Sequence, residues 1–576
     1  MNKAYGTQTG AEMLVRTLES LGVTHIFGYS GGAVIPMFDA LVTTKTKIKL
    51  VAVRHEQGAV HMADGYARAT GKPGVVLVTS GPGAGNTISG IMTAQMDSVP
   101  LLVISGQQIS NMLGYDAFQE TDVINLTLPL VKHSYQIFEP ADITRITIEA
   151  YKIAQAGRPG PVVIDIPKDV SSAIVPQIPE QHPVLSEPAS GKKLPNKNLT
   201  DIAAAVEVAE KPLLLVGQGV IIADAAAELQ EFVAANNIPV VTTLLGKGAI
   251  DETSDMSLGM LGMHGTAAAN YAVQETDCLL VIGSRFDDRI VGDPEVFASQ
   301  ATICHIDIDR SEIGKMVRPH VHAVDDAKEA LILLRQAVKP RQRSSWLKRV
   351  RSLKLLQPAD ADHTSDALTQ QHVLQTLDRL TSGQAIYTTD VGQHQMWAAQ
   401  FCRVTQPRHW LTSGGAGTMG FGFPAAIGAQ FAFPHKTVVS ISGDGGFQMT
   451  QFELATAAIH KLPLKILILD NHYLGMVRQW QEMFYDNRES GVTLEGNPDF
   501  ALLAQAYGIK ALHITKPGEV EEQLSSALAY RDGPVVIWCE VAKTDNVYPM
   551  IPAGRPYSHM LLAPPTEALD KPIGST

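Results

Sequence analysis

Apolar and polar residues alternate in blocks along the chain, and the apolar blocks predict the strands of parallel sheets. Each block is a short, nearly continuous apolar run between turns, which is typical of strands that helices cover on both faces. Stretches with helical apolar spacing, such as residues 9–18, separate the runs. Residues 115–120 and 131–133 are predicted as loops. In the first third of the chain the predicted strands are 25–28, 50–53, 74–80, 100–106 and 161–167.

The same pattern recurs twice further along the chain. Runs at 212–216, 239–243, 277–283 and 301–307 predict a second sheet, and a third begins after residue 366. Residues 176–198, rich in Pro, Glu, Lys and Asn, are predicted as a linker. We therefore predict an α/β protein with three doubly wound parallel-sheet domains. Their predicted bounds are 1–180, 198–340 and 366–550.

One predicted βαβ unit carries the strongest chemical signal. A buried strand leads into the turn Gly-Asp-Gly-Gly at 443–446, a helix is predicted over 447–461, and the strand 465–470 ends at Asn471. Asp444 and Asn471 would then stand at the carboxyl ends of neighbouring strands, where open α/β sheets bind ligands. Their oxygens suit Mg²⁺, and the glycines before a helix suit a diphosphate. A Gly-Asp-Gly alone is usually a surface turn, but this context favours a diphosphate and Mg²⁺ site.

Composition and charge exclude several other classes of protein. The chain has 576 residues and a net charge of −12, and its basic segment 339–365 lacks an aromatic platform for RNA. We predict that this segment is a solvated helix and linker and that the protein binds no nucleic acid. No apolar run is long enough for a membrane span and residues 1–30 lack a signal-peptide core, so we expect a cytoplasmic protein. Four cysteines without metal-ligand spacing are expected to be buried thiols: Cys278, Cys304, Cys402 and Cys539.

Three other candidate regions each allow two interpretations. Glu56 follows a predicted strand, where a carboxylate suits catalysis, although most such glutamates lie in solvated loops. The glycine-rich stretch 79–86 is either a ligand-binding turn or a turn needed only for packing. The glycine turn 217–219, with Asp307 and Asp325 as candidate acceptors for ribose hydroxyls, predicts either a nucleotide-binding domain or a structural one.

Ten motifs follow one another between residues 8 and 552. They are Arg-His-Glu-Gln at 54–57, Gly-Tyr-Asp-Ala-Phe-Gln-Glu-Thr at 114–121, Lys-His at 132–133, Gly-Arg-Pro-Gly-Pro-Val at 157–162, Leu-Gly-Met-His-Gly at 261–265, Arg-Phe-Asp-Asp-Arg at 285–289, His-Ile-Asp-Ile-Asp at 305–309, Val-Gly-Gln-His-Gln-Met-Trp at 391–397, Gly-Asp-Gly at 443–445 and Leu-Gly-Met-Val-Arg-Gln-Trp at 474–480. With these motifs the chain resembles the catalytic subunits of acetohydroxyacid synthase, also called acetolactate synthase. The resemblance implies an enzyme that depends on thiamine diphosphate and Mg²⁺ and also carries FAD.

The resemblance also implies a reaction and an assembly. Pyruvate would be decarboxylated on thiamine diphosphate and joined to a second 2-keto acid, pyruvate or 2-ketobutyrate. The product, 2-acetolactate or 2-aceto-2-hydroxybutyrate, would serve branched-chain amino acid biosynthesis. The three domains would bind the pyrimidine, the FAD and the diphosphate with Mg²⁺, in chain order. FAD would be structural, the active sites would form between two chains of a homodimer or tetramer, and a small regulatory subunit is a candidate partner.

Catalytic roles follow from the same resemblance. Glu56 would hold a proton at the pyrimidine N1′ of the cofactor. Met476 would hold the cofactor in a bent shape, and Gln119 and Lys132 would line the active site. The metal ligands would be Asp444, Asn471 and the backbone carbonyl of Tyr473.

Substrate and cofactor contacts are implied in the same way. Arg289 would clamp the carboxylate of the second acid, Trp480 would favour 2-ketobutyrate, and Gly32 and Phe118 would contact substrate. The contacts with thiamine diphosphate would be Glu56, Val391, Gly392, Gln393, His394, Gly417, Met419, Gly443, Asp444, Gly445, Gly446, Asn471, Tyr473, Gly475 and Met476. Those with FAD would be Arg158, Gly217, Gly219, Gly262, Met263, His264, Gly283, Arg285, Asp307, Ile308 and Asp325.

The chain departs from the family pattern at four positions without losing a catalytic group. Gly85 and Ala416 remove bulk near the expected cofactor, Asp470 would add a negative charge near the metal, and Ser30 replaces a proline. The first alternative function is a pyruvate oxidase or a simple 2-keto acid decarboxylase, for which an acceptor clamp such as Arg289 would be unnecessary. The second is a non-enzymatic paralogue, which the retained acid and metal motifs disfavour.

Overall fold

The computed structural model describes residues 7–176, 197–356 and 367–564. The predicted linker 176–198 lies outside these residues except at its two ends, as does the last part of the basic segment 339–365. The described part of that segment contains the helix Ser344–Leu353, which is not solvated all round as predicted, because Trp346, Val350 and Leu353 are buried in an apolar cluster. No helix in the described part of the chain combines the length and the apolar character that crossing a membrane requires.

Six of the first eight strands form a parallel sheet. The eight strands are β1 Thr7–Thr9, β2 His25–Tyr29, β3 Lys49–Ala52, β4 Gly74–Val78, β5 Leu101–Gln107, β6 His133–Gln136, β7 Pro161–Pro167 and β8 Ile174–Pro176. Strands β2 to β7 form the sheet in the order β3-β2-β4-β5-β7-β6, and β1 and β8 form a separate antiparallel pair. Every residue of β4, β5 and β7 is buried, as expected for parallel strands covered on both faces.

A second parallel sheet occupies the middle of the chain. Its strands are β9 Pro212–Val216, β10 Val240–Thr242, β11 Ser257–Met260, β12 Cys278–Ile282, β13 Thr302–Asp307 and β14 Val321–Val324. The strand order is β11-β10-β9-β12-β13-β14. Alternate residues of β9 belong to different apolar clusters. Leu214 and Val216 pack in one cluster, and Leu213 and Leu215 pack in the other. The sheet therefore has a core on each face.

The third parallel sheet repeats the strand order of the first. Its strands are β15 Ile386–Thr389, β16 Trp410–Thr412, β17 Val438–Gly443, β18 Lys465–Asp470, β19 Lys510–Ile514 and β20 Val535–Glu540. They are arranged as β16-β15-β17-β18-β20-β19. Across the described residues, three six-stranded parallel sheets confirm the predicted α/β class. The domain bounds remain a prediction.

Each sheet contains a point where the chain reverses its direction of travel across the sheet. In the first sheet the chain passes from β2 to β3 on one side, and β4 then lies on the other side of β2. In the second sheet β10 and β12 lie on opposite sides of β9, and in the third β16 and β17 lie on opposite sides of β15. We call the gap between β2 and β4, β9 and β12, or β15 and β17 the reversal point of its sheet. Loops after the two strands that flank such a point diverge and leave a crevice at the carboxyl edge of the sheet. The candidate residues after β9, β12, β15 and β17 lie at these points.

Helices connect the strands. Their bounds are Gly10–Ser20, Ile35–Thr43, Glu56–Thr70, Pro82–Gly85, Ile88–Met96, Val123–Thr127, Ile143–Gln155, Lys168–Ser172, Lys197–Val208, Gln218–Ile222, Ala226–Asn236, Ala267–Glu275, Asp288–Val291, Ala327–Ala337, Ser344–Leu353, Gln370–Thr381, Gln393–Phe401, Gly422–Ala432, Asp444–Gln448, Leu454–Ile459, Gly475–Phe484, Phe500–Ala506 and Val520–Ala529. The contacts between residues are concentrated within two compact units of the chain. The first consists of residues 1–191, 413–435 and 450–464, and the second of residues 192–412, 436–449 and 465–576.

Within the first unit, the helices Glu56–Thr70 and Gly422–Ala432 pack closely against each other. Their contact is built from small residues, because a Cβ at Gly65 would overlap the backbone of Ala425 and a Cβ at Gly428 would overlap the carbonyl of Met62. Two helices whose backbones approach this closely cannot carry larger side chains at the crossing. The contact joins two segments that are far apart in the sequence.

Two local predictions were wrong. The segment 131–133 was predicted as a loop, but His133 begins the edge strand β6, whose polar and only partly buried residues lack the apolar pattern of an inner strand. The single helix predicted over 447–461 is two helices, Asp444–Gln448 and Leu454–Ile459. Non-helical backbone at Thr450, with φ −137° and ψ 15°, separates them, and the Thr450 hydroxyl donates to the carbonyl of Gly420.

Candidate active site

Asp444 lies at the carboxyl end of β17 as the first residue of a short helix, where the sequence predicted it. It is buried and its Oδ2 accepts a hydrogen bond from Asn497 Nδ2 at 2.7 Å. The same amide nitrogen donates to Asp470 Oδ1 at 3.0 Å, so one NH₂ group bridges two carboxylates. Burial, and then the neighbouring Asp470, raise the pKa of Asp444 to about 7. A divalent cation would relieve this concentration of negative charge.

Asn471 follows β18 and belongs to a buried network of amides. Its Oδ1 accepts from the backbone N–H of Tyr473 at 3.1 Å, and its Nδ2 donates to Gln393 Oε1 at 3.4 Å. The Gln393 Nε2 donates in turn to Gln479 Oε1 at 2.9 Å and to the carbonyl of Asp545 at 2.9 Å. The loop after β15, the end of β18 and the helix Gly475–Phe484 are therefore joined at the predicted metal site.

Bare backbone surrounds these polar groups. A Cβ at Gly392 or at Gly443 would lie 2.9 Å from the His394 ring, and a Cβ at Gly475 would overlap the side chain of Gln393. His394 Nε2 is buried and has no hydrogen-bond partner among the described residues. Burial lowers the pKa of His394 to about 4, so its imidazole is neutral at pH 7. Glycine backbone, a helix N-terminus and an unpaired imidazole nitrogen together fit a diphosphate.

The donor set fits Mg²⁺ better than a transition metal. Asp444 and Asn471 supply a carboxylate and an amide, and Mg²⁺ completes its shell with water and phosphate oxygens. Over residues 7–176, 197–356 and 367–564, no group of three or more His, Cys, Asp or Glu side chains converges as metal ligands. The two oxygen ligands are compatible with a magnesium diphosphate, whose phosphates and waters would supply the other ligands.

Glu56 begins the helix Glu56–Thr70 in the first unit. Its side chain is 7 % exposed, and Oε2 accepts a hydrogen bond from Asn86 Nδ2 at 2.9 Å. Asn86 follows the glycine-rich turn after β4, where a Cβ at Gly83 would lie 3.4 Å from Glu56 Oε1. The turn 79–86, for which the sequence left two interpretations open, thus both packs tightly and orients the candidate acid.

Other predicted residues of the first unit lie in loops around this unit's sheet. Gln119 has a left-handed backbone, φ +61°, and lies against Gly81, where a Cβ would be 2.9 Å from the Gln119 Cβ. The neighbouring Phe118 is 83 % exposed, and Gly32 is also exposed. Lys132 Nζ donates to the carbonyls of Ile153 and Ala156 at 2.5 and 2.6 Å, which caps the C-terminus of a helix. Arg158 Nε donates to Ser98 Oγ at 2.8 Å, and Gly417 and Met419 lie in the loop after β16.

A buried ion network supports the loop that contains Gly417 and Met419. Asp97 accepts from the backbone N–H groups of Gly414 and Gly415 at 2.9 and 2.7 Å, and its carboxylate pairs with Arg68 at 2.9 Å. Arg68 also pairs with Asp64 at 2.5 Å. Sequence reasoning missed this network because its members are separated in the chain and carry no motif.

Predicted substrate and cofactor contacts of the second unit lie on or beside three helices. Met476 and Trp480 are one turn apart on the helix Gly475–Phe484, and Trp480 packs edge-on against Phe484 at 5.5 Å between ring centroids. Val391 and Gly392 precede the helix Gln393–Phe401. Arg289 lies on the short helix Asp288–Val291 with an exposed side chain, and Nη1 is 3.8 Å from Met263 Sδ.

The glycine turns assigned to FAD lie at the reversal point of the second sheet. Turns after β9 and β12 touch, because a Cβ at Gly219 would lie 2.6 Å from Gly283 Cα and a Cβ at Gly217 would overlap the carbonyl of Gly283. Asp307 ends β13, and Asp325 follows β14 with its N–H bonded to the carbonyl of Asp307 at 3.1 Å. Glycine turns at the reversal point, with carboxylates at the ends of β13 and β14, are compatible with a bound dinucleotide.

Five further members of that set also belong to the second unit, whereas Arg158 belongs to the first. Gly262 and Met263 pack on the helix of Arg289, since the Met263 N–H donates to the carbonyl of Arg289 at 2.8 Å. His264 is buried, and burial followed by the charge of Arg289 lowers the pKa of His264 to about 4. Arg285 follows β12, and Ile308 follows β13 with an exposed side chain.

Comparison with known families defines the class of protein. Family models of the thiamine pyrophosphate enzymes match in order: the N-terminal TPP binding domain over residues 8–126, the central domain over 199–334 and the C-terminal TPP binding domain over 390–539. The three matches fall on the three parallel sheets. The fold, the glycine-rich ends of β15 and β17 and these matches define a thiamine pyrophosphate enzyme, thiamine pyrophosphate being thiamine diphosphate.

Individual relatives narrow the class. The chain is 45 % identical over 572 residues to the acetolactate synthase large subunit of Porphyra purpurea, covering 96 % of this chain and 95 % of the relative. It is 44 % identical over 568 residues to that of Haemophilus influenzae, with 97 % and 99 % covered, and 44 % identical over 552 residues to the acetolactate synthase isozyme 2 large subunit of Escherichia coli, with 96 % and 99 % covered. The chain belongs to the acetolactate synthase large-subunit family.

Proposed function

We propose that this chain decarboxylates pyruvate on thiamine diphosphate and ligates the resulting two-carbon unit to a second 2-keto acid. The acceptor is pyruvate or 2-ketobutyrate, and the product is 2-acetolactate or 2-aceto-2-hydroxybutyrate. Near full-length identity of 44–45 % to acetolactate synthase large subunits supports this reaction. The observation that carries it is that Asp444, Asn471 and the glycine turns follow the carboxyl ends of the adjacent strands β15, β17 and β18.

The proposal assigns the cofactor groups to separate residues. Asp444, Asn471 and the carbonyl of Tyr473 would hold Mg²⁺, and the backbone at 392 and 443–446 would hold the diphosphate. Thiamine diphosphate, when bound, supplies the nucleophilic carbon and the electron sink that decarboxylation of a 2-keto acid requires. Glu56, oriented by Asn86, would hold a proton at the pyrimidine N1′.

Other residues would select and orient the substrates. Arg289 is exposed near Met263, with its Nε 3.7 Å from the exposed carboxylate of Asp288, and its guanidinium would pair with the carboxylate of the acceptor acid. Trp480 would form the wall that favours 2-ketobutyrate, and Met476, one turn earlier, would support the cofactor ring. Gln119, with Gly32 and Phe118, would line the substrate side. The hydrogen bonds of Lys132 to helix carbonyls add a structural role to the catalytic one predicted for it.

FAD and the assembly form the remaining part of the proposal. FAD would lie along the turns after β9 and β12 and would be structural, because the ligation involves no net redox change. We expect a homodimer or tetramer in which Glu56 of one copy serves the cofactor bound by another, and a small regulatory subunit is a candidate partner. The expected cytoplasmic location stays a prediction.

A product assay tests the function. The purified chain receives pyruvate, Mg²⁺, thiamine diphosphate and FAD, and acetolactate, acetaldehyde and peroxide are measured together before and after 2-ketobutyrate is added. We expect acetolactate, diverted to acetohydroxybutyrate by the second acid. Arg289→Met should shift the product towards acetaldehyde, whereas Arg488→Met, at an exposed arginine paired with Asp486, should not. Acetaldehyde or peroxide as the main wild-type product would favour the decarboxylase or the oxidase instead.

A further inference from the structure

Glu453 is a fully buried carboxylate in the first unit that the proposed function does not use. It ends a short 3-10 turn, Gln451–Glu453, in the segment that connects β17 to β18. Its Oε1 accepts hydrogen bonds from the backbone N–H groups of Arg54 at 3.0 Å and His55 at 3.2 Å. Its Oε2 accepts from Thr456 Oγ1 at 2.5 Å. Both carboxylate oxygens are therefore occupied, and both backbone donors immediately precede Glu56.

The hydrogen bond from the His55 N–H to Glu453 resembles a helix cap, but the capping residue comes from a distant segment of the chain. His55 is the N-cap of the helix Glu56–Thr70, and its N–H lies outside the helical hydrogen-bond pattern. In a capping box, a glutamate at the third helical position would bond back to that N–H. The third position here is Gly58, and a Cβ there would overlap the carboxylate of Glu453. Glu453 thus occupies the place of the missing local cap, 398 residues away in the sequence.

A second contact fixes the same segment. The ring of Phe452, next to Glu453, lies 5.6 Å from the ring of His55. His55 in turn accepts the N–H of Gln57 at Nδ1, at 3.1 Å. The backbone on both sides of Glu56 is therefore held by groups that leave the Glu56 side chain free to face Asn86.

We propose that Glu453 is a positioning residue for Glu56: through the N–H groups of Arg54 and His55 it sets the backbone from which the Glu56 carboxyl reaches its partner atom. The inference rests on the proposed role of Glu56. The reach of the Glu453 side chain matters more than its charge, because two backbone donors need an acceptor at a fixed place. Displacement of a catalytic group by about 1 Å lowers the rate about 100-fold.

Two conservative variants separate reach from charge. Glu453→Asp keeps the charge but withdraws the acceptor by one methylene, and Glu453→Gln keeps the reach and loses the charge. We expect Glu453→Asp to lower kcat about 10- to 100-fold with little change in the KM for pyruvate, and Glu453→Gln to stay within about threefold of wild type. Asp277→Asn is the matched control, since Asp277 also accepts from two consecutive backbone N–H groups, those of Glu210 and Lys211, in the second unit.

Hydrogen exchange in the cofactor-free protein provides a readout that does not depend on activity. Glu453→Asp should speed exchange of the amides at 54 and 55, and Glu453→Gln and Asp277→Asn should not. If Glu453→Asp exchanged faster but kept the wild-type kcat, the positioning role would be overturned. If Glu453→Gln had a lower kcat than Glu453→Asp, the length of the side chain would be overturned as the cause. Unchanged exchange in Glu453→Asp would overturn the contact itself. If Glu56→Gln retained wild-type kcat, the proposed role of Glu56 would fail instead, so the two failures are distinguishable.

Discussion

At the scale of single residues, the candidate metal site concentrates negative charge and compensates it with amides. Asp444 and Asp470 share the NH₂ group of Asn497, and Trp538 Nε1 donates to the other oxygen of Asp470 at 3.0 Å. This accounts for Asp470, the departure from the family pattern next to the candidate metal ligand Asn471. Asn497 and Trp538 donate hydrogen bonds to the two carboxylate oxygens of Asp470 and stabilise its negative charge. Asp470 therefore needs no direct contact with a metal.

Loss of the bridging amide should weaken metal binding. Asn497→Ala leaves Asp444 and Asp470 to repel each other, and groups that orient metal ligands typically contribute 10- to 100-fold in affinity. We expect Mn²⁺, used as a probe for Mg²⁺ in the cofactor-free protein, to bind about 10- to 100-fold more weakly by paramagnetic resonance. Asn125→Ala, which removes an exposed amide that donates to Asp122, is the control. Equal Mn²⁺ affinity in both variants would contradict the assigned role.

Removal of the candidate acid should separate catalysis from cofactor binding. Glu56 and Asp444 belong to different units, so Glu56→Ala leaves the diphosphate and metal groups intact. We expect kcat to fall by about 100-fold or more, in line with the loss of a general acid, while Mg²⁺-dependent binding of thiamine diphosphate survives. Calorimetry of cofactor binding and an acetolactate assay check the two parts. Wild-type turnover in this variant would show that the acid has been wrongly assigned.

At the scale of elements, glycines determine how closely the turns at the reversal points approach. Gly283 has φ +60° and meets Gly219 across the gap between β9 and β12. A left-handed conformation disfavours any residue with a Cβ, and here the added atom would also lie 2.6 Å from the facing backbone. The same turn therefore carries both a folding constraint and the predicted FAD contact.

Gly283→Ala should destabilise the fold and weaken flavin binding together. Strain at a left-handed position and overlap with Gly219 cost on the order of 2 kcal/mol, which lowers the Tm of the cofactor-free protein by several degrees. Differential scanning calorimetry and flavin retention on gel filtration measure the two effects. Gly533→Ala is the control, because nothing lies within 4 Å of a Cβ there. A Gly283→Ala protein with unchanged Tm would mean that the turns separate freely.

At the scale of the whole molecule, buried ionisable groups make stability depend on pH in opposing directions. Burial lowers the pKa of His61 to about 3 and of His305 to about 4. Between pH 6.5 and 4 the unfolded chain protonates these histidines and the folded chain does not, so their contribution to stability is lost as the pH falls. Burial raises the pKa of Asp165 to about 6, so below pH 6 the folded chain holds that proton more tightly and the effect is opposite.

The contribution of one histidine can be isolated. At pH 5, unfolding of the wild type in urea should take up about one proton more than unfolding of His61→Gln, since His61 is neutral when folded and charged when unfolded. Potentiometric titration of folded and unfolded protein gives both numbers. At pH 8 the two proteins should take up equal numbers, because the imidazole is neutral in both states. Equal uptake at pH 5 would contradict a neutral buried His61.

The inner strands were predictable because their signal is local. Strands β7 and β18 were predicted with the bounds observed, since an apolar run between turns is a property of neighbouring residues. The edge strand β6 was missed because its half-buried polar residues lack such a run. The helix break at Thr450 was missed because it depends on a contact with Gly420, 30 residues earlier.

The sequence by itself determined the α/β class, the three sheets, and the placing of Asp444 and Asn471 at strand ends, because these follow from apolar periodicity and glycine turns over short stretches. Only the tertiary structure decided which side chains contact the candidate residues within each unit. Asn86 reaches Glu56 across 30 residues, Asn497 reaches Asp444 across 53 and Glu453 reaches Arg54 across 399. Such contacts depend on strand order and on which connections pack together, and no local pattern of residues encodes them.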